Sequence, residues 1–558
     1  MTSPPARRQA RAIAVLAGLG VALVPRAAAI ETTSLDLDVA ALVGADAIYA
    51  QGYTGTRSII ANVEAGHVWS GHQTLGHVAQ FFDDPAAVGT FETHATSVGH
   101  TIGGRGSNTL QRGIAHGATL WSGAIATSIN GNNFNISANS LRGGLAQPLG
   151  ALGGPVADVV NMSWGASNGS APYSGSMYLD YAIDAAANRT GSAIVVSTGN
   201  DGFGPNRVGS PARGFNTIAV GALGSEFSGY SGLAGFSSAG AVNYVDPITG
   251  QSTAGLRPAV DIVAPGENLT LASTAAPNAY LGNRVGTSFA APIVAGTVGL
   301  LNDVAIDRYG RGTATDARVQ KAVIMNSATK LNGWNNGQSN QGGVIRTTQA
   351  LDYGLGAGAL DAAAAYTQLT GDTADLAGTS GGEIGSIGWD FASVAQGAPT
   401  DFVFSDRLEA GSNLTVTLTW FADAQWDVFD NYSDTSVNAG SHDNLDLQVW
   451  TADDAGNAET LIAESINGYD AVEHLSFDIA QTDDYLLRVV WQNELFDTLG
   501  DANTEDFAIA WNGQFATPTV AEDDPQEDPI EDAPAVPAPG AALVLLAPVG
   551  CRRRRGAD

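Results

Sequence analysis

Residues 286–292 read Gly286-Thr287-Ser288-Phe289-Ala290-Ala291-Pro292 and run into the small, apolar stretch Ile293 to Leu301. A glycine turn hands over to a helix at this point, and Ser288 stands at the helix start. Backbone N–H groups lack partners there and the helix dipole is positive. Pro292 fits, because the first turn of a helix needs no N–H from it. A serine so placed is either a helix cap or a nucleophile, and as a nucleophile it requires a base.

Three upstream segments end a strand or open a helix with a residue that such chemistry uses. Ser58 to Val63 is an apolar strand that runs into Glu64 before the turn Ala65-Gly66. Thr93-His94-Ala95-Thr96-Ser97-Val98-Gly99 puts a histidine at the start of a small-residue helix. Ala193-Ile194-Val195-Val196-Ser197-Thr198-Gly199-Asn200 is a strand that ends in an amide. A histidine takes a serine proton, an acid fixes the imidazole tautomer, and an amide N–H holds a developing oxyanion. Between residue 50 and about 368, β-branched runs (also Val159 to Met162, Thr217 to Val220, Asp261 to Val263) alternate with helical stretches such as Met177 to Ala187 and Ala314 to Asn326. That alternation predicts an α/β domain with a parallel sheet under helices, whose sites form at the carboxyl ends of strands.

The order acid, His, Asn, Ser, with Gly-Thr-Ser-Phe-Ala-Ala-Pro around the serine, resembles the subtilisin (subtilase, S8-type) family of serine endopeptidases over residues 50–368. Gly113 to Ala118, Val159 to Gly165, Ser210-Pro211-Ala212, Ile218 to Gly221, Phe236 to Ser238, Ala264-Pro265-Gly266 and Gly358 to Ala365 resemble further pieces of that family's pattern. The resemblance implies a three-layer α/β domain in which Ser288 is the nucleophile, His94 the base and Glu64 the acid. Asn200 and the Ser288 N–H would form the oxyanion hole. Ser163, Trp164 and Gly165, with Thr198 and Gly199, would bind peptide as an added strand, a mode that reads backbone more than side chains. The chemistry would need no cofactor, and the partners would be protein or peptide substrates of a monomeric enzyme. Two positions depart from the family. Glu64 stands where the family has Asp, and Ala95 where it has Gly. The extra methylene of Glu64 must be absorbed locally, since a 1 Å error costs on the order of a hundredfold in rate. Asp83, Asp84 and Glu92 are the alternative carboxylates, and a catalytically impaired, peptide-binding surface module is the alternative reading of the whole chain. Only about 20 residues separate a leader from Gln51, too few for the folded inhibitory pro-domain that many relatives carry.

Beyond Gly371 the pattern changes to short alternating strands, among them Asn413 to Trp420, Leu445 to Trp450, His474 to Ile479, Tyr485 to Trp491 and Phe507 to Trp511. This predicts an antiparallel β-sandwich (jelly roll) over 369–516. Asp443, Asp446, Asp470 and Glu473 resemble positions in the jelly-roll domains attached to some bacterial subtilases, which often carry calcium. Structural Ca²⁺ is one reading of these four, and ordinary turn and edge-strand solvation is the other. His67, His72 and His77 recur every five residues, but no Cys or Asp completes a zinc pattern, and they read as polar loop histidines.

The two ends read as addresses. Residues 1–29 join Arg7, Arg8 and Arg11 to the apolar run Ala12 to Val24 and close on Ala27-Ala28-Ala29, a signal-peptide pattern that predicts export. Residues 30–49 form a short N-terminal segment. Residues 517–539 are an acidic, Pro-rich linker, and 540–558 combine an apolar stretch with Arg552 to Arg555. The tail resembles the PEP-CTERM type of bacterial sorting signal, which implies cell-surface attachment by an exosortase-like transpeptidase. The single cysteine, Cys551, lies in this tail, so the body holds no disulfide. A net charge of −31, with Lys321 and Lys330 the only lysines, excludes nucleic acid as a partner.

Overall fold

The computed structural model describes residues 14–16, 38–107, 111–165, 177–225, 229–376, 381–500 and 504–517. The linker beyond Thr517, the sorting tail and all of the leader except Ala14–Leu16 lie outside these residues. Ala14–Leu16 pairs antiparallel with Asn133–Ile136.

Seven parallel strands form the first sheet: β1 (Ile59–Glu64), β2 (Gln80–Phe82), β3 (Thr119–Ala124), β4 (Val159–Met162), β5 (Ala193–Ser197), β6 (Thr217–Leu223) and β7 (Ile262–Pro265), in the order β7-β6-β5-β4-β1-β3-β2. The unbroken burial of β4, β5 and β6 explains why they read as continuous apolar runs. The chain builds outward from β1 in both directions, so the carboxyl end of β1 lies at a topological switch point, where α/β sheets place their sites. Glu64 is the last residue of β1. Helices α1 (Thr93–Gly103), α2 (Tyr178–Thr190), α3 (Thr287–Tyr309), α4 (Ala317–Asn326) and α5 (Ala362–Leu369) accompany the sheet.

Helix α3 is buried from Thr287 through Ala305. This accounts for a segment that is apolar on all sides instead of along one stripe. Its start at Thr287 makes Pro292 the sixth helical residue, past the first turn where the sequence reading put it. The missing N–H at Pro292 removes the i→i−4 donor that the Ser288 carbonyl would otherwise receive.

The second part is a sandwich of two sheets. One orders Ser339–Gln341, Val344–Thr347, Ala458–Ser465, Ser441–Ala452, Tyr485–Asp497, Thr400–Phe404 and Gly382–Ile384. The other orders Thr373–Ala374, Ile387–Ala395, Thr504–Asn512, Asn413–Trp420 and Val472–Asp478. Phe402 on the first sheet meets Phe507 and Trp511 on the second, with ring centroids 6.3 and 6.1 Å apart. The pairing departs from purely antiparallel at three short strands near the margins, where Val344–Thr347, Thr373–Ala374 and Gly382–Ile384 join in parallel. The first of these arrives from the chain before α5, so the α/β segment supplies two strands of the sandwich sheet.

The two parts share one core. Trp389, Phe421, Trp426 and Val472 pack in the same apolar cluster as the parallel sheet. The indole of Trp389 donates to the Leu369 carbonyl at 2.9 Å and stands edge-on to Tyr309. Asn216 exchanges two 2.8 Å hydrogen bonds with the backbone of Ala422. The Thr417 hydroxyl donates to Asn326, and Arg257, stacked 3.8 Å from the Phe215 ring centre, pairs with Asp470 at 3.3 Å. Trp389→Ala is expected to cost about 3–5 kcal/mol and to destabilise both parts together. Chemical denaturation followed by tryptophan fluorescence and by substrate turnover should give one shared transition. A sandwich transition that shifts while turnover holds its midpoint would refute the shared core.

Candidate active site

Strand β1 brings Glu64 up beside α1, and its carboxylate, 1% exposed, has two partners. Oε2 lies 3.1 Å from Nδ1 of His94, and Oε1 accepts the N–H of Ser163 at 3.0 Å. The added methylene is absorbed by bridging these two groups across three elements. Burial works against a charge on His94, but the charge and hydrogen bond of Glu64, aided by Glu92, outweigh it and raise the imidazole above its ordinary value. The alternative carboxylates are committed elsewhere. Asp83 faces His67 at 3.4 Å, Asp84 pairs with Arg142, and Glu92 caps α1 by accepting the Ala95 N–H at 2.7 Å.

A buried amide chain under the site was not singled out in the sequence. The register sets Asn62 of β1 opposite Asn161 of β4. Asn161 Nδ2 donates to Asn62 Oδ1 at 3.1 Å and to Ser163 Oγ at 3.0 Å, and Asn62 Nδ2 donates to the Ala95 carbonyl at 3.1 Å. The signal available in sequence was a polar residue inside two otherwise apolar strands. This chain ties α1 and the end of β4 to the central strand, which fixes both groups that Glu64 touches.

Ser288, 9% exposed, is the second residue of α3. Its hydroxyl donates to the Ser163 carbonyl at 3.0 Å, and among the described residues this carbonyl, not His94, is its hydrogen-bond partner. Gly286 holds φ at 148°, a conformation that disfavours a side chain. A Cβ built there would lie 3.7 Å from both Asn200 Nδ2 and the Ser288 N–H nitrogen, so the two donors flank one point. Thr287 aims the asparagine: its N–H donates to Asn200 Oδ1 at 3.0 Å, and its hydroxyl lies 3.2 Å from the same oxygen. With Oδ1 so occupied, Nδ2 is the end left to face the cleft.

The predicted peptide-binding residues divide. Trp164 is 4% exposed and its indole donates to the Val63 carbonyl at 2.9 Å, so only its backbone is left for a peptide. Gly199 spends its N–H on the Thr287 hydroxyl, and Thr198 is 1% exposed with its N–H on Val220. Ser163 is used at three points, by Glu64, Asn161 and Ser288. Phe289, also missed in the sequence reading, packs on His94 with ring centroids 5.5 Å apart.

Three of the four sandwich acids direct their carboxylates at protein groups. Glu473 accepts from the Asn467 N–H and the Ser465 hydroxyl, Asp470 faces Arg257, and Asp446 accepts from Gln492 at 2.5 Å. The Asp443 carbonyl accepts the Trp420 indole N–H at 2.8 Å. Burial pushes Asp446 up to about 7 and Glu473 well above the usual carboxylate range. Among the described residues, no group of three or more His, Cys, Asp or Glu side chains is arranged to hold a metal. His67 contacts Ser122 and Asp83, and His72 contacts Thr74 and the Ala279 carbonyl.

Comparison with known proteins finds similarity over one part of the chain. Residues 70–344 match the model of the Subtilase family, Peptidase_S8. Subtilisin E of Bacillus subtilis (strain 168) is 27% identical over 264 residues, covering 46% of this chain and 59% of its own length. Subtilisin Savinase of Lederbergia lenta is 28% identical over 280 residues, covering 49% of this chain and 89% of its own. The solved structure of the prenylagaramide maturation protease PagA aligns at 21% identity with a TM-score of 0.42, over 59% of this chain and 99% of that one. The chain thus spans about three fifths of the length of the first curated relatives it matches.

Glu64→Gln replaces the acceptor facing Nδ1 with an amide that can donate to it, which favours the wrong imidazole tautomer. If the site acts as a triad, turnover should fall on the order of 10³–10⁴-fold. The residual activity should keep its acid limb to lower pH, because the charge that raises His94 is gone. A kcat/KM–pH profile that keeps its acid limb in place would refute the coupling.

Proposed function

We propose that this chain is an exported, subtilisin-like serine endopeptidase that cuts peptide bonds through an acyl-enzyme. The observation that carries the reading is the 3.1 Å contact between Glu64 and His94 Nδ1, which leaves Nε2 as the nitrogen able to take a proton. Ser288 exchanges its hydrogen bond to the Ser163 carbonyl for one to His94. It then attacks the scissile carbonyl as His94 accepts its proton. The oxygen of the tetrahedral intermediate is held by Asn200 Nδ2 and the Ser288 N–H. His94 passes the proton to the leaving amine, and water repeats the cycle on the ester. Glu64 holds His94 through Nδ1 and stabilises the imidazolium. No cofactor enters these steps.

The substrate is an extended protein or peptide segment lying beside the backbone of Ser163 to Gly165. Export rests on the composition of residues 1–29, and surface attachment by an exosortase-like enzyme rests on the composition of the tail. A monomer is the working unit, since the proposed steps draw on one chain only.

An active-site fluorophosphonate should label Ser288 and leave Ser288→Ala unlabelled, with casein hydrolysis lost in the same variant. Folded wild-type protein that neither labels nor cuts would leave a peptide-binding module as the function. Asn200→Ala is expected to lower kcat roughly 10²–10³-fold with little change in KM, the magnitude established for an oxyanion-hole asparagine in subtilisin. A change confined to KM would remove Asn200 from the transition state.

A further inference from the structure

The strands Leu269–Ala272 and Tyr280–Arg284 form a hairpin that ends two residues before Gly286. Its last residue, Arg284, lays its guanidinium 4.9 Å from the centre of the Phe289 ring, and Phe289 packs on His94. Arg284 is half-buried, and its Nε is shut off from solvent without a hydrogen-bond partner. Four other enclosed arginines are matched: Arg142 with Asp84, Arg213 with Asp180, Arg257 with Asp470 and Arg318 with Asp316. The Arg284 side chain makes no ion pair and no hydrogen bond among the described residues. Glu92, whose field reaches it, spends its carboxylate on the start of α1. A half-buried cation without an anion is costly unless something supplies one.

The position of Arg284 indicates what that anion is. Asn200 Nδ2 and the Ser288 N–H fix where the scissile carbonyl oxygen points, and the acyl side of the substrate runs beside Ser163 to Gly165. His94 must meet the leaving amine, so the segment after the scissile bond crosses the face of the site that His94 and Phe289 form. Arg284 borders that face. We propose that Arg284 is a specificity residue that binds a carboxylate on the leaving segment of the substrate. The carboxylate is an Asp or Glu side chain at the first or second position after the cut, or the free C-terminus of a short leaving segment. This rests on the protease reading above.

The test uses internally quenched peptides and the full chain, with active sites counted by fluorophosphonate labelling. One arm compares Asp and Glu with Asn and Gln at the first and second positions after the cut, with the C-terminus amidated. The other arm compares free with amidated C-termini on a short, neutral leaving segment. Mass spectrometry locates each cut. The acid-to-amide ratio of kcat/KM should be on the order of tenfold at low salt and shrink in 1 M NaCl. It should fall towards one in Arg284→Gln, partly persist in Arg284→Lys and invert in Arg284→Glu, with the change carried mainly by KM. A preference in the first arm assigns the side chain, and one in the second arm alone assigns the chain terminus. Cleavage with a ratio of one in both arms, or a ratio that Arg284→Gln leaves intact, would overturn the inference alone. No cleavage of any peptide would overturn the protease reading and this inference with it.

Discussion

One carboxylate holds the site together. Glu64 stands at the end of the central strand, where the sheet changes direction of growth, and grips the His94 imidazole with one oxygen and the Ser163 N–H with the other. The Ser163 carbonyl in turn holds the Ser288 hydroxyl. Through two residues the carboxylate therefore links helix α1, the end of β4 and the start of α3. A buried charge with a single partner would be a liability. With two partners and the Asn62–Asn161 chain beneath them, it becomes the joint of the three elements. Glutamate suits this joint because its longer arm reaches both groups from one backbone position.

The parts of the fold that were legible in the sequence are those in which one local rule dominates. Val159 to Met162 and Asn413 to Trp420 carry enough β-branched and apolar residues to be strands under any tertiary context, and both are observed at those bounds. Ser288, His94 and Asn200 were legible because each sits beside a turn that breaks an apolar run. Asn62 and Asn161 were not, because an asparagine inside a strand gains its meaning from the register that sets it opposite another. Arg284 was invisible for the same reason, since only the packing of Phe289 brings it near His94. Pro292 was misjudged by one helical turn, because the helix takes in Thr287 and Ser288 themselves.

The sandwich acids are the opposite case. Their spacing reads as oxygen ligands at a strand start, and in the fold Asp446, Asp470 and Glu473 meet protein donors: Gln492, Arg257, Ser465 and Asn467. Sequence spacing records which oxygens are near one another. It does not record which donors the rest of the fold delivers to them.

The interlock of the two parts has a consequence in time. Arg318 and Asn326 of α4 have partners within the α/β segment, Asp316 and Gln368, and gain further ones, the Asp506 carbonyl and Thr417, from strands of the sandwich. A strand near residue 345 likewise waits for its neighbour near residue 463. During synthesis the chain emerges from its N-terminus, and a region whose contacts lie ahead of it stays incomplete until they arrive. The sandwich strands are thus the last components to arrive, and they close a core that the α/β segment begins.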